Sequence, residues 1–221
     1  MTDAPADRLK EIHERITKAA ERSGRPASAI SLVAVTKTVS LDRVIPFLDA
    51  GILHIGENRV QEALSKYGGM PKRPTTHLIG QLQSNKAKKA VSFFDVIQSV
   101  DRIDLARDLD RHANALGKKQ KCFIEVKVSP EATKSGLPPE QLADFLAEAR
   151  TFPNLELRGL MGIAPATLNP DECRPFFSRL RQLFDDSKLD HLSMGMSSDF
   201  EIAIEEGATM IRLGTILFGA R

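Results

Sequence analysis

Apolar residues fall into two alternating kinds of stretch along this chain. Leu9, Ile12, Ile16 and Ala19 recur at helical spacing, and Gly24-Arg25-Pro26 closes that segment. Short strand-like runs then follow one another: "SLVAVTK", "ILHIGEN", "THLIG", "VIQSV", "CFIEVKV", "LELRGLMGI", "HLSMGM" and "TMIRLGTILFG". Amphipathic stretches separate them. One begins at Asp101, carries Leu105, Leu109, Ala113 and Leu116 on one face, and stops at Gly117. Another begins at Pro138-Pro139 and carries Leu142, Phe145, Leu146 and Ala149. A third opens with Asn169 as N-cap and Pro170 in the first turn, and carries Cys173, Phe176, Phe177, Leu180 and Leu183. Pro175 within it, and Pro46 after the first strand, predict helix kinks.

Several strand runs are apolar on both faces, as parallel strands buried under helices require. Eight such runs, each reached through a helical or connecting stretch, predict a (β/α)8 TIM-type barrel. An open doubly wound sheet is the alternative. No linker or low-complexity tract divides residues 1–221, so the expectation is a single barrel domain. The tightest connection is between "THLIG" and "VIQSV", where the helix must come from "SNKAKKAVSFF".

Composition narrows the function. The net charge of +2 gives no electrostatic reason to expect nucleic acid or an anionic membrane surface. The N-terminal "MTDAPADRLKEIHERI" has no apolar signal core, and no later run is long enough to span a bilayer, which leads to a cytoplasmic expectation. Cys122 and Cys173 lie far apart, without a CxxC or a histidine at metal-ligand spacing, and are expected to be reduced core residues. His54 and His77 are expected to be hydrogen-bonded core or rim residues. Lys86, Lys88 and Lys89 read as a solvated helix face.

In such a barrel the site lies at the carboxyl ends of the strands. Polar residues recur there: Lys37 after the first strand, Glu57 and Asn58 at the second, and Gln81, Gln83 and Asn85 after the third. Met161 and Pro165 follow the sixth, "SMGMSSDFE" the seventh, and Arg212, Gly214 and Thr215 close the eighth. In "GMSSDFE", Ser198 and Glu201 have the spacing of a capping box before a helix that ends at Gly207. A helix start, the bare backbone of Gly214 and the Thr215 hydroxyl together suit a phosphate.

Strand one neighbours strand eight in a barrel, so Lys37 would sit beside that anion site. A lysine amine has an unperturbed pKa of about 10.4, and desolvation or a nearby cation such as Arg212 would lower it and favour attack on an aldehyde. Two chemistries fit: a Schiff-base aldolase acting on a phosphorylated sugar, or pyridoxal phosphate (PLP) held by lysine. The aldolase would need an acid/base group, for which Glu57 is the candidate, although "GEN" could equally start the second helix.

"AVTKT", "HIGENRVQEA", "HLIGQLQSNK", "KSG", "RGLMGI" and "LSMGMSSDFEIAIEEGATMIRLGTILFGAR" together resemble the single-domain pyridoxal phosphate homeostasis protein family, over about residues 8 to 221. The family's fold is similar to the N-terminal barrel of alanine racemase. The resemblance implies that Lys37 holds PLP as a Schiff base and that Asn58 contacts it. It implies that Ser197, Gly214 and Thr215 hold the phosphate, with Arg212 facing the pyridine nitrogen. It also implies a cytoplasmic monomer that stores or carries the cofactor, with PLP-requiring apo-enzymes as partners. It leaves the role of "QSNK" unexplained.

The competing function is a PLP-dependent amino-acid racemase or related enzyme. Racemisation needs an acid/base group on each face of the cofactor. The single tyrosine, Tyr67, is expected in the loop entering strand three, at the far end from the rim, and the chain closes at "FGAR" directly after the eighth strand. An arginine cannot give up a proton to the ring nitrogen, so the ring would be a weaker electron sink than one paired with aspartate. Storage is therefore favoured over racemisation.

Overall fold

The computed structural model describes residues 4–131, 134–167 and 169–219. Among them, eight parallel strands close into a barrel in sequence order. The strands are β1 (Ser31–Val35), β2 (His54–Glu57), β3 (Thr75–Leu78), β4 (Val96–Val100), β5 (Gln120–Glu125), β6 (Leu155–Met161), β7 (His191–Ser193) and β8 (Met210–Leu213). The connecting helices form the outer ring. They are α2 (Leu41–Asp49), α3 (Val60–Tyr67), α4 (Ala87–Phe93), α5 (Ile103–Ala115), α6 (Leu142–Ala149), α7 (Arg174–Ser187) and α8 (Phe200–Glu205). The helix α1 (Pro5–Arg22) precedes the barrel, and the short α9 (Thr215–Phe218) follows β8. The barrel expectation holds, and the open sheet is excluded by the closing pair: Leu32 stands beside Ile211 and Val33 beside Arg212.

The alternation of side chains along each strand sorts the residues into two layers. Val33, Val96, Phe123, Met161 and Met210 fill the barrel interior. Their neighbours of opposite parity, such as Leu32, Ala34, Ile55, Leu78 and Ile97, join the larger core between sheet and helices. The amphipathic pattern of α1 is explained the same way, with Leu9, Ile12, Ile16, Ala19 and Ala20 buried. Each large apolar side chain in these layers contributes roughly 1.5–3 kcal/mol. Met161, expected just beyond β6, is its last residue and belongs to the interior packing.

The prolines divide in their effects. Pro46 stands inside α2, where its missing N–H removes one rung of the ladder. Pro175 falls in the first turn of α7, because residues Pro170–Cys173 form a separate 3-10 turn. No rung is lost there, so the expected interior kink at Pro175 has no cause. Asn169 caps that turn by accepting the Asp171 N–H at 3.2 Å.

Candidate functional site

At the carboxyl ends of the strands lies a cavity of about 340 Å³. Its lining includes Lys37, Asn58, Ser197, Arg212, Gly214 and Thr215, the six residues singled out in the sequence. Val35, Ile79, Ile163, Met196 and Ser198 complete it. Strand parity explains the assembly: Val35, Gly56 and Arg212 occupy inward positions, and the rim residues continue those rows.

Lys37 is held in place from beneath. Thr36 is fully buried on the helix side of β1. Its hydroxyl donates to Glu57 Oε1 at 2.7 Å and accepts from the Tyr67 hydroxyl at 2.8 Å. The Lys66 ammonium donates to the Thr36 carbonyl and to Glu57 Oε1, each at 2.7 Å. Beyond Lys37, Thr38 adopts φ 61°, and its N–H donates to Glu62 Oε1 at 2.5 Å. The residues on both sides of Lys37 are therefore tied to α3. Burial raises the pKa of Glu57, against the pull of Lys66 and Thr36.

Two expectations are corrected here. Glu57 does not face the cavity: it points into the layer between β2 and α3 and is ion-paired with Lys66 at 2.7 Å. Tyr67 is not remote from the rim. It ends α3, but helical side chains lean toward their helix's N-terminus, which is the rim end of α3. That lean carries the phenol up to Thr36. Burial pushes its pKa upward, so it remains a neutral hydroxyl committed to its partner.

One wall of the cavity is made by the loops after β7 and β8. The Ser197 hydroxyl accepts from the Gly214 N–H at 3.2 Å and the Ile216 N–H at 3.4 Å, joining the two loops. The backbone N–H groups of Ser197, Ser198 and Thr215 make no hydrogen bond among the described residues. Gly195 permits the tight approach: it has φ 91°, and a Cβ there would lie 2.5 Å from the Ala203 Cβ. The expected Ser198/Glu201 capping box does not form. Asp199 takes the N-cap position and accepts the Met196 N–H at 2.6 Å, while Glu201 turns outward to Arg15. The shorter Asp199 reaches the loop from inside, leaving Ser198 to the cavity.

Arg212 is buried on the cavity floor. It donates to Ser193 Oγ at 2.7 Å and to the Gly162 carbonyl at 3.0 Å. Burial pulls its pKa down to about 10, with Glu125 and Asp199 opposing, so it remains a cation at neutral pH. Asn58 is set at the rim by a glycine in the neighbouring loop. A Cβ on Gly80 would come within 2.5 Å of the Asn58 carbonyl oxygen. This accounts for the glycine of "HLIGQLQSNK". Gln81, Gln83 and Lys86 from the same motif line an adjoining groove that shares Asn58.

The PLP molecule implied by the sequence fits these groups. The volume lies at the low end of the roughly 300–1,000 Å³ range of small-molecule sites. One wall offers uncommitted N–H donors and hydroxyls for a phosphate, and another offers an amine for an aldehyde. Both cysteines are buried and unpaired. Burial pushes the Cys122 thiol up to about 12 and the Cys173 thiol up to about 11, consistent with inert core residues. No group of three or more metal-ligating side chains occurs among the described residues.

The alanine racemase N-terminal domain family matches residues 8–221. The chain belongs to that family. It is 43% identical to the pyridoxal phosphate homeostasis protein of Aquifex aeolicus, across 97% of each chain. It is 41% identical to that of Pseudomonas aeruginosa, covering 98% of this chain and 95% of the relative. Among solved structures, PipY of Synechococcus elongatus with PLP bound matches with a TM-score of 0.86 at 40% identity, over 97% of this chain and all of PipY. Alanine racemase of Clostridium difficile shares the barrel, with a TM-score of 0.73 at 15% identity, and this chain covers 57% of its length.

Strand positions that sequence reasoning passed over also contribute. Gln98 and Ser193 are buried polar residues at inward positions, and Ile79 and Ile163 wall the cavity. A polar residue amid the apolar "VIQSV" was the available signal for Gln98. Thr36 and Lys66 gave none, because their pairing depends on how α3 docks.

Proposed function

We propose that this protein binds pyridoxal 5'-phosphate reversibly and serves its homeostasis, storing or carrying the cofactor. The observation that carries the reading is one cavity that sets Lys37 beside the Ser197, Gly214 and Thr215 cradle. The full-length likeness to relatives named as PLP homeostasis proteins, and to PLP-bound PipY, supports it.

In this reading Lys37 Nζ captures the cofactor aldehyde. The cofactor supplies a reactive carbonyl conjugated to a pyridine ring. Ser197, Ser198 and Thr215 receive the phosphate through N–H and hydroxyl donors, each charge-assisted bond contributing about 1.5–3 kcal/mol before binding entropy. Asn58 orients the ring edge. Arg212, a donor that keeps its proton, faces the ring nitrogen and leaves it unprotonated. Ile79 and Ile163 exclude water from the ring faces.

A non-catalytic role is part of the proposal. Among the described residues the cavity lining contains no carboxylate, imidazole, phenol or thiol, the groups that would serve as a second acid/base on the opposite face of a bound cofactor. No described helix is long and apolar enough to cross a membrane. PLP-requiring apo-enzymes are the proposed recipients, and a monomer is the proposed state. The deciding experiment is incubation with PLP, borohydride reduction and peptide mass mapping. Pyridoxyl label on Lys37 is expected. Label mainly on Lys86 or Lys134, with none on Lys37, would overturn the assignment.

A further inference from the structure

Inside the barrel, below the cavity floor, five polar side chains form one continuous line. Arg212 Nη1 donates to Ser193 Oγ at 2.7 Å, and Ser193 Oγ lies 2.7 Å from Gln98 Oε1. Gln98 Nε2 lies 2.9 Å from His77 Nδ1, and His77 Nε2 lies 3.1 Å from His54 Nδ1. Arg212, Ser193, Gln98 and His77 are buried, each 4% exposed or less, so solvent does not complete their bonding. His54 is half-buried at the start of β2.

The chain has a direction. Arg212 carries only donors, so Ser193 accepts from it and spends its single proton on Gln98 Oε1. The Gln98 amide nitrogen then faces two acceptors, His77 Nδ1 and Met210 Sδ, the latter at 3.2 Å. His77 Nδ1 must accept, so the His77 proton sits on Nε2 and is given to His54 Nδ1. The reverse order would turn the amide nitrogen toward Ser193. The Ser193 hydroxyl proton would then have no acceptor among the described residues, a costly state for a buried donor. A second proton on His77 would set two donors against each other at Gln98. Burial, together with His54, His191 and Lys121, holds the His77 pKa far down.

We propose that Ser193, Gln98 and His77 are positioning residues for Arg212, and that the fixed charge of Arg212 dictates the tautomer of His77. The chain anchors a long, rotamer-rich side chain at the cavity floor. Its remaining N–H groups are thereby held toward the cavity, where the proposed function places the ring nitrogen of PLP. The inference rests on that reading for its consequence at the cofactor, but not for the chain itself.

The test begins with the ligand-free protein. Nitrogen-15 NMR of labelled histidine should show His77 protonated on Nε2 only. In Ser193→Ala, Gln98 loses its donor and the amide is free to turn, so His77 should become a mixture of tautomers. Cofactor retention in that variant should fall about three- to tenfold, the size of one ordinary hydrogen bond, because Arg212 keeps its bond to the Gly162 carbonyl, and the absorption maximum of the bound cofactor should shift. Gln98→Met, which keeps most of the volume, should reproduce the spectral shift and guards against a Ser193→Ala protein that fails to fold. His77 protonated on Nδ1 in the wild type would overturn the proposal. So would folded variants with an unchanged cofactor spectrum. Nε2 protonation in a protein that takes up no PLP would instead refute the proposed function, and with it the cofactor half of this proposal.

Discussion

The Tyr67 hydroxyl donates a 2.8 Å hydrogen bond to the Thr36 hydroxyl, one residue before Lys37. This bond joins the last residue of α3 to the end of β1. It gives the tyrosine a structural task on the far side of the strand from the cavity.

Two substitutions separate the parts of that contact. Tyr67→Phe should destabilise the protein by about 1 kcal/mol, because Thr36 keeps Glu57 as a partner. Thr36→Val should cost more, about 1–3 kcal/mol, because it strands both the buried phenol and one bond to Glu57. Denaturant unfolding midpoints at constant slope measure both. Equal costs would show that the three groups do not act as a connected set.

Lys37→Ala should abolish the borohydride-reducible linkage and its visible absorption, yet retain measurable affinity for phosphorylated pyridoxine derivatives. The N–H donors of the β7 and β8 loops do not depend on the amine. Calorimetry is the measurement. Wild-type affinity for PLP in the variant would mean that the covalent bond adds nothing and that the site is misassigned.

Ser197→Asp or Gly214→Asp should lower cofactor retention after dialysis far more than Lys86→Ala. Either places a carboxylate at the proposed phosphate position, and Ser197→Asp also removes the hydroxyl that ties Gly214 and Ile216. Lys86 lines the adjoining groove rather than this cavity. Equal retention across the three would move the phosphate elsewhere.

Acid should destabilise the fold earlier than carboxylate titration alone predicts. His77 is held down to about 3 by burial and by the neighbouring His54, His191 and Lys121, against about 6.5 in the unfolded chain. A depressed pKa means that the unfolded state takes up the proton first. This contribution is whole above about pH 6.5 and declines as pH falls toward 3, by up to about 1.4 kcal/mol per pH unit. Urea unfolding between pH 7 and 5 reads the slope. His77→Gln should flatten it, and an unchanged slope would contradict a buried neutral His77.

Turnover of L-alanine to its D isomer should be slow or absent. Tyr67 is bound to Thr36 with its pKa raised by burial, and a missing acid/base partner costs about 10²–10⁴ in rate. Cα proton exchange in deuterated water, followed with chiral product analysis, provides the measurement. Rates of roughly 1–10³ per second would restore the enzyme reading.

The barrel was legible because parallel strands covered by helices leave a direct trace in sequence: both faces of β1 are apolar. Lys37, Asn58, Arg212, Gly214 and Thr215 were legible because strand ends meet on one rim, while Ser197 was singled out within "SMGMSSDFE" by the family resemblance. Tyr67 was misplaced because element order gives the end of a helix but not the lean of a long side chain. Ser198 and Glu201 matched a capping spacing that Asp199 occupies in its place, since short-range patterns do not reveal which carboxylate reaches a loop from the inside. The line from Arg212 to His54 joins four other strands to β8 across up to 158 residues of separation between its ends, beyond the reach of any local motif.

Closure of the barrel by β1 and β8 has a consequence for synthesis. Lys37 emerges from the ribosome long before Arg212, Gly214 and Thr215. A nascent chain therefore carries the amine while the proposed phosphate seat does not yet exist. Selective capture of a phosphorylated aldehyde must wait until residues 210–213 dock beside residues 31–34. Cofactor added during refolding should bind only the closed form. Its uptake would then time the pairing of the first and last strands, and ligand excess would pull that pairing to completion by mass action.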